Sequence, residues 1–173
     1  MFKKIKAFFS EILSEIAIPK EKVASMNISE LKKQAELIHP IGFYLLALKL
    51  FKQDEKNEAI FWFYVGSIRY RYFLSSIEAN PFEPENELFG KVQFEIGGTV
   101  LDYAGGNPIF WAEQIEKANE WDTEHLNFFY SKKNNPEALT EIKLSMQQLQ
   151  QKLLDEKEDI IKQRIENGAE VRL

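Results

Sequence analysis

Apolar residues recur at helical spacing along most of this chain. In the first segment they fall three and four positions apart, which predicts an amphipathic helix and a linker over residues 1–24. Asn27 and Glu30 have the spacing of a capping box, in which each residue satisfies a backbone N–H of the other. They predict the start of a second helix that runs to about Ile38. Pro40 suits the first turn of a third helix.

The region from residue 27 to residue 77 has the most apolar pattern. A helix that starts at Pro40 is followed by a polar break at 53–56 and then by a stretch, 58–77, that is apolar almost all round. Such a stretch is typical of a buried central helix. With Ala59 early in its second helix, this hairpin resembles a tetratricopeptide or Sel1-type unit. Arrays of such units need about three repeats, and one is found, so a single hairpin is predicted.

The later helices have similar starting signals. Asn-Pro occurs at 80–81, 107–108 and 135–136, and in each case places a capping side chain before a residue suited to a first helical turn. These signals predict central acidic helices over 84–130 and one long C-terminal helix over 136–167. Gly97 and Gly98 lie inside a helical pattern and predict a close helix approach or a kink. The fold class expected is an all-α, single-domain multi-helix bundle.

Length and charge narrow the class of partner. The chain has 173 residues, no cysteine and a net charge of −5. From 78 to 131 it holds eleven acidic residues and only two lysines, Lys91 and Lys117. This imbalance argues against nucleic acid, which requires a basic surface, and indicates either a solvated acidic face or a basic partner. No apolar stretch is long enough to span a membrane, and Glu11 and Glu15 interrupt the first segment, so a cytoplasmic protein is expected.

Motifs for catalysis are not found in the sequence. His39 and His125 are far apart and lack the spacing of a metal-binding pair, and neither Gly-Gly pair belongs to a phosphate-binding loop. The expectation is a protein that is not an enzyme and that uses no metal and no cofactor.

Arg69 and Arg71 are unusual because they stand in the apolar helix. Successive helical positions differ by about 100°, so at least one of the two should point inward. A buried guanidinium needs a carboxylate. The partners considered are Glu58, Glu95 and Asp102. The two interpretations are an internal ion pair and an anion site in an aromatic-lined cleft.

One further region suggests a binding surface. Aromatic residues cluster between two predicted helices, directly after a run of acidic residues, and interfaces are enriched in Trp and Tyr. The candidate partner-binding residues are Glu113, Glu116, Glu120, Trp121, Asp122, His125, Phe128 and Tyr130.

Four strings carry a resemblance to a family. They are EAIFWFYVG at 58–66, IRYR at 68–71, ANEWD at 118–122 and RIENG at 164–168. Together they resemble a group of small uncharacterised bacterial helical proteins, some of them associated with immunity to toxins delivered between cells. The likeness covers most of the chain from about residue 40 onward. It implies a helical fold and a protein partner, and it transfers no catalytic residue.

Three functional hypotheses follow. The first is a protein-binding module that acts as an immunity protein and neutralises a basic toxin by direct binding. The second is a tetratricopeptide-like adaptor or scaffold with several partners. The third is an anionic-ligand binding protein or enzyme that uses Arg69 or Arg71 with Tyr103 and Asp102.

Overall fold

The all-α prediction is confirmed by the computed structural model, which describes residues 17–77 and 84–172. Within these ranges the chain forms eight α-helices and no β-strand. The helices are α1 Lys20–Val23, α2 Ile28–Lys33, α3 Ile41–Lys52, α4 Lys56–Ser76, α5 Pro84–Gly105, α6 Pro108–Glu124, α7 Pro136–Asp155 and α8 Lys157–Glu166. The helix predicted within residues 1–16 and the Asn-Pro pair at 80–81 lie outside the described residues.

Local capping signals correctly mark several helix starts. The Asn27 side chain accepts a hydrogen bond from the Glu30 N–H at 3.0 Å, and the Glu30 carboxylate accepts one from the Asn27 N–H at 2.7 Å. Asn107 and Asn135 cap α6 and α7 in the same manner, each by accepting from the backbone N–H three residues on. In each case the side chain satisfies an N–H that has no partner within the helix, which fixes where the helix begins.

Helix α4 is the centre of the bundle, and α3, α5, α6 and α7 all pack against it. From Ala59 to Tyr70, all its residues but Phe61 are buried. The prediction of a buried central helix, made from its aromatic and aliphatic pattern, is therefore confirmed. The α3–α4 hairpin is present, and its likeness to a tetratricopeptide unit stays a prediction.

Two glycines allow neighbouring helices to approach closely. A Cβ added at Gly66 in α4 would lie 2.9 Å from the Phe43 Cβ of α3, and one added at Gly97 in α5 would lie 3.2 Å from the Phe63 ring. The close approach predicted for the Gly97-Gly98 pair is therefore found at Gly97. Gly98 is exposed, and an added Cβ there would meet nothing within 4 Å.

The C-terminal part differs from its prediction. Instead of one helix over 136–167, the chain forms α7 and α8, separated at Glu156, whose φ and ψ are −96° and 7°. Neither glycine nor proline marks this break, so the sequence pattern runs through it. After α8 the chain returns to α5, where the Arg172 N–H donates to the Gly106 carbonyl at 2.7 Å and its guanidinium lies 3.5 Å from the centre of the Tyr103 ring.

Replacing Gly66 by alanine tests the close contact between α3 and α4. We expect Gly66→Ala to lower the free energy of unfolding by about 1–3 kcal/mol, because the new methyl group would displace Phe43 from a close-packed core. Gly90→Ala at an exposed position of α5 is the matched control, since nothing lies within 4 Å of the added Cβ. The control should gain about 0.5–1 kcal/mol from helix propensity alone. Urea denaturation measures both, and equal changes would contradict the proposed contact.

Candidate functional site

Arg69 forms an ion pair in the interior of the bundle. Its side chain is 2% exposed, and its Nε donates to the Asp122 carboxylate, 1% exposed, at 3.0 Å. The internal ion pair expected for one of the two arginines is thus present, but its partner on α6 is not among the three considered. Glu58, Glu95 and Asp102 all lie elsewhere.

The remaining nitrogens of the Arg69 guanidinium contact backbone carbonyls. They donate to Leu126 at 2.9 Å and, more weakly, to His125 and Ala35 at 3.4 Å. The guanidinium also lies 4.8 Å from the centre of the Trp121 ring, within the range of a cation–π interaction. Because protein acceptors and aromatic rings enclose this cation, it is not available to an external anion. Arg69 organises the structure around it.

Asp122 also contacts two lysines through its second oxygen. Lys143 of α7 lies 3.1 Å from it, and Lys132 lies 3.5 Å from it. Burial alone would raise the pKa of Asp122, but attraction to the three cations, Arg69 foremost, holds that pKa below its ordinary value. Burial is the main cause that lowers the pKa of Lys132, against the attraction of Asp122. Lys132 also donates to the His125 carbonyl at 2.7 Å.

Helical geometry explains why Asp122 belongs to the interior. It follows Ile115 and Ala118 by seven and four positions, so it continues their buried stripe. It is nine positions from Glu113, which turns it by about 180° from the exposed face of α6. Grouping Asp122 with the exposed acidic residues was therefore wrong. Lys132 and Lys143 were missed, because nothing in their own sequence neighbourhood marks them as partners of Asp122.

The loop after α6 is fixed by hydrogen bonds from several parts of the chain. Glu36 accepts from the Leu126 N–H at 3.0 Å through its side chain and from the Phe128 N–H at 2.8 Å through its carbonyl. The Tyr72 hydroxyl donates to the Ser131 carbonyl at 2.8 Å. Together with Arg69, these bonds hold the loop in one position. The Leu126 side chain is left 60% exposed.

An aromatic stack lies beside Leu126. The rings of Trp121 and His125 are stacked, with centroids 4.1 Å apart and an angle of 14° between their planes. Both residues are half-buried, as are Phe128 and Tyr130, which belong to the predicted binding surface. The aromatic patch is therefore only partly open to solvent.

The acidic residues of α6 are next to this stack on the same helix. Glu113, Glu116, Glu120 and Glu124 are exposed and lie within about 80° of one another around the axis. Lys117 is the basic residue among them and lies 4.0 Å from Glu113. We define the α6 platform as the surface formed by Glu113, Glu116, Glu120, Trp121, His125 and Leu126.

The residues considered for an anion site are not brought together. Arg71 is exposed, and its Nε donates to the Ser67 hydroxyl at 3.2 Å. Glu95 is exposed on α5, while Asp102 pairs with Arg164 at 3.1 Å. Two of these residues are therefore surface groups, and the third belongs to a contact between α5 and α8.

A cavity of about 650 Å³ lies between α5 and the C-terminal residues. Its lining residues are Phe51, Gly98, Thr99, Asp102, Tyr103, Arg164, Ala169 and Glu170. Neither Arg69 nor Arg71 contributes to it. The combination of these arginines with Tyr103 and Asp102 in one ligand pocket, as in the third hypothesis, is therefore not found.

A second polar cluster surrounds His39, which is buried. Its Nδ1 accepts from the Ile41 N–H at 3.1 Å, and its Nε2 lies 3.3 Å from the Glu85 carboxylate. The same carboxylate accepts from the Tyr70 hydroxyl at 2.7 Å and pairs with Lys20. Burial lowers the pKa of His39 to about 4, although Glu85 opposes the shift. His39 is thus neutral near pH 7. Its ring lies between the first residue of α3, Ile41, and Glu85 in the first turn of α5.

Comparisons with known proteins do not add a function. No protein-family model, curated protein or solved structure matches this chain. In the described part of the chain, no cluster of three or more acidic or histidine side chains has the arrangement of a metal site. None of the helices α1–α8 is long and apolar enough to cross a bilayer. Function has therefore to be inferred from the α6 platform and the ion pair beneath it.

The ion pair can be tested by removing the charge of Asp122. We expect Asp122→Asn to lower the free energy of unfolding by about 3–5 kcal/mol, because the buried Arg69 guanidinium would lose its counter-charge and the partly exposed Lys132 and Lys143 would remain beside it. Glu120→Gln makes the same chemical change on the exposed face and should stay within about 0.5 kcal/mol of the wild type. Denaturant unfolding of both variants distinguishes a buried pair from a general effect of charge.

His39 gives a pH dependence of known sign. Its pKa is about 4 in the folded protein and 6.5 ordinarily, so the unfolded chain binds a proton that the folded protein excludes between these values. The free energy of unfolding should therefore fall on acidification from about pH 6.5 to 4.5, by up to about 1.4 kcal/mol per pH unit. The His39→Asn variant should lose most of this slope in urea titrations. The pKa of Glu85 is lowered in the folded protein, so Glu85 decreases the free energy of unfolding only below its ordinary pKa of 4.5. An unchanged slope in the variant would contradict the assignment.

Proposed function

We propose that this protein is a binding module that recognises a basic protein through the α6 platform. The observation that carries the proposal is the position of Arg69. From the interior of the bundle, its guanidinium donates hydrogen bonds to the carbonyls of His125 and Leu126. The exposed Leu126 side chain and the half-buried stack of Trp121 and His125 therefore occupy fixed positions beside an acidic helix face.

A fixed surface is suited to tight binding. Association costs free energy when side chains and loops must be ordered, and a surface that is ordered beforehand avoids much of this cost. Here Glu36 and Arg69 hold the backbone at Leu126, while His125 stacks on Trp121. The platform therefore requires little rearrangement to receive a partner.

The chemistry of the platform defines the partner. Trp and Leu provide apolar contact, and a half-buried Trp at the centre of an interface is a typical hot spot. The adjacent glutamates attract positive charge, which raises the rate of encounter and selects against acidic proteins. The complementary surface has an apolar depression bordered by lysine or arginine residues.

An immunity protein is the specific form of this function that we propose. Such a protein neutralises a toxin by covering its active site, and the active sites of toxins that act on nucleic acids or phosphates are basic. The family resemblance supports this form. Its strings 68–71 and 118–122 contain Arg69 and Asp122, together with Trp121. An adaptor would bind through the α3–α4 hairpin, but most of that hairpin is covered by other helices.

Charge reversal tests the proposed interface. The partner is first captured by chemical cross-linking in native cells, identified by mass spectrometry and purified. We then expect the triple variant Glu113→Lys, Glu116→Lys, Glu120→Lys to weaken the Kd by at least about tenfold, mainly through slower association that depends on salt. Leu126→Ala should also weaken binding, through faster dissociation.

The matched control reverses three exposed acidic residues on α8. They are Glu158, Asp159 and Glu166. Equal loss of binding in both triple variants would contradict a specific role for the α6 platform. A captured partner that is lethal when expressed alone and harmless with this protein would support immunity, whereas several weak partners would favour an adaptor.

A further inference from the structure

The segment that follows α8, residues 168–172, crosses from the end of that helix to the end of α5, and we call it the strap. It begins at Gly168, whose φ of 66° turns the chain away from the α8 direction. The Arg172 N–H donates to the Gly106 carbonyl at 2.7 Å. Gly106 and Asn107 form the turn between α5 and α6, which we call the α5–α6 corner. Arg172 therefore anchors the strap at this corner.

The guanidinium of Arg172 is surrounded by three different kinds of group. Its carbon lies 3.5 Å from the centre of the Tyr103 ring, which is a close cation–π contact, and its Nη2 donates to the Tyr103 carbonyl. Its Nη1 donates to the Glu170 carboxylate at 3.1 Å. The ring, the carbonyl and the carboxylate use the planarity, the fixed donors and the charge of a guanidinium, which is the combination that distinguishes arginine from lysine.

A missing side chain makes room for this guanidinium. Gly106 is buried, and a Cβ added there would lie 2.7 Å from the Nη1 and 2.8 Å from the Cζ of Arg172. The backbone of Gly106 has no positive φ, so space and not conformation explains the glycine. The last carbonyls of a helix lack partners within it and attract cations. We define the arginine site as Gly106 together with the ring and the carbonyl of Tyr103.

The arginine site is formed by the fold and not by Arg172. The Tyr103 ring meets the edge of the Phe51 ring, with centroids 5.8 Å apart and planes at 90°. The Tyr103 hydroxyl donates to the Asn57 side chain at 3.4 Å. These partners belong to α3 and α4, and the carbonyl belongs to the backbone of α5. The site therefore stays in place when the guanidinium leaves it.

The cations next to the arginine site are already neutralised. Lys56 lies 5.3 Å from the centre of the Tyr103 ring and pairs with Asp54 at 3.0 Å. Arg164 pairs with Asp102 at 3.1 Å. Because each of these cations has a carboxylate of its own, the site is left without excess positive charge. It can accept one further cation.

We propose that the α5–α6 corner is a recognition site for an arginine side chain of another polypeptide, and that Arg172 occupies it as an internal competitor. Any extended peptide can offer a stacked guanidinium and a backbone N–H to the Gly106 carbonyl. The strap has to release the site before such a peptide binds, so the affinity is reduced by the fraction of molecules in which the site is free. The site is separate from the α6 platform, and each can fail without the other.

A nuclear magnetic resonance titration tests the site in the full chain. The Arg172→Ala variant empties the site, and the probe is the peptide acetyl-Gly-Ala-Glu-Val-Arg-amide. We expect saturable shifts of the Tyr103 and Gly106 amide signals. The wild type should bind the probe at least about tenfold more weakly, because its own arginine fills the site. A probe with lysine in place of arginine should bind the variant at least about tenfold more weakly, since an ammonium group is not planar.

Two additions to the Arg172→Ala variant locate the binding. Gly106→Ala should abolish it by filling the site, whereas Gly90→Ala, where an added Cβ meets nothing within 4 Å, should leave it unchanged. Tyr103→Leu, which keeps an apolar contact with Phe51, should weaken it at least about tenfold. Thermal unfolding checks that each variant is folded. No saturable binding to Arg172→Ala, equal affinity of the wild type or of the lysine probe, or binding that survives both site substitutions would overturn the proposal.

Discussion

The ion pair between Arg69 and Asp122 is the interaction on which this bundle is organised. Removing two charges from water costs several kcal/mol for each ion, and this cost is offset only if the geometry is good and the other donors are satisfied. Here the guanidinium reaches a carboxylate on α6 and three backbone carbonyls, while Lys132 and Lys143 approach the same carboxylate. A shift of α4 or α6 by one turn would break these contacts together. We infer that the cluster selects one packing arrangement of α4, α6 and α7 from the many that an apolar core would allow.

The same cluster connects the interior to the surface. Two of the carbonyls that accept from Arg69, those of His125 and Leu126, belong to the loop after α6, and that loop carries the exposed Leu126 side chain. Trp121 contacts the guanidinium on one side and stacks with His125. Stability and the proposed binding function are therefore coupled. A substitution that disturbs the ion pair would disturb the platform too, and a binding assay on such a variant has to be accompanied by a measurement of folding.

Two surfaces of the molecule differ in character. The α6 platform combines carboxylates with a small apolar centre and suits a separate, basic protein. The outer face of α5 has a single exposed phenylalanine between glycines and continues into a cavity. The first surface favours long-range attraction, whereas the second favours close contact of apolar groups.

The sequence by itself determined the all-α class, the caps at Asn27, Asn107 and Asn135, and the central burial of α4. All of these depend on interactions within a few residues or on the period of the apolar pattern. The partner of Arg69, the burial of its carboxylate and the break at Glu156 were decided only by the tertiary structure. Periodicity shows which side of a helix faces inward, but it does not show which two inward sides meet. Arg69 and Asp122 are 53 positions apart, and only the packing of α4 against α6 brings them together.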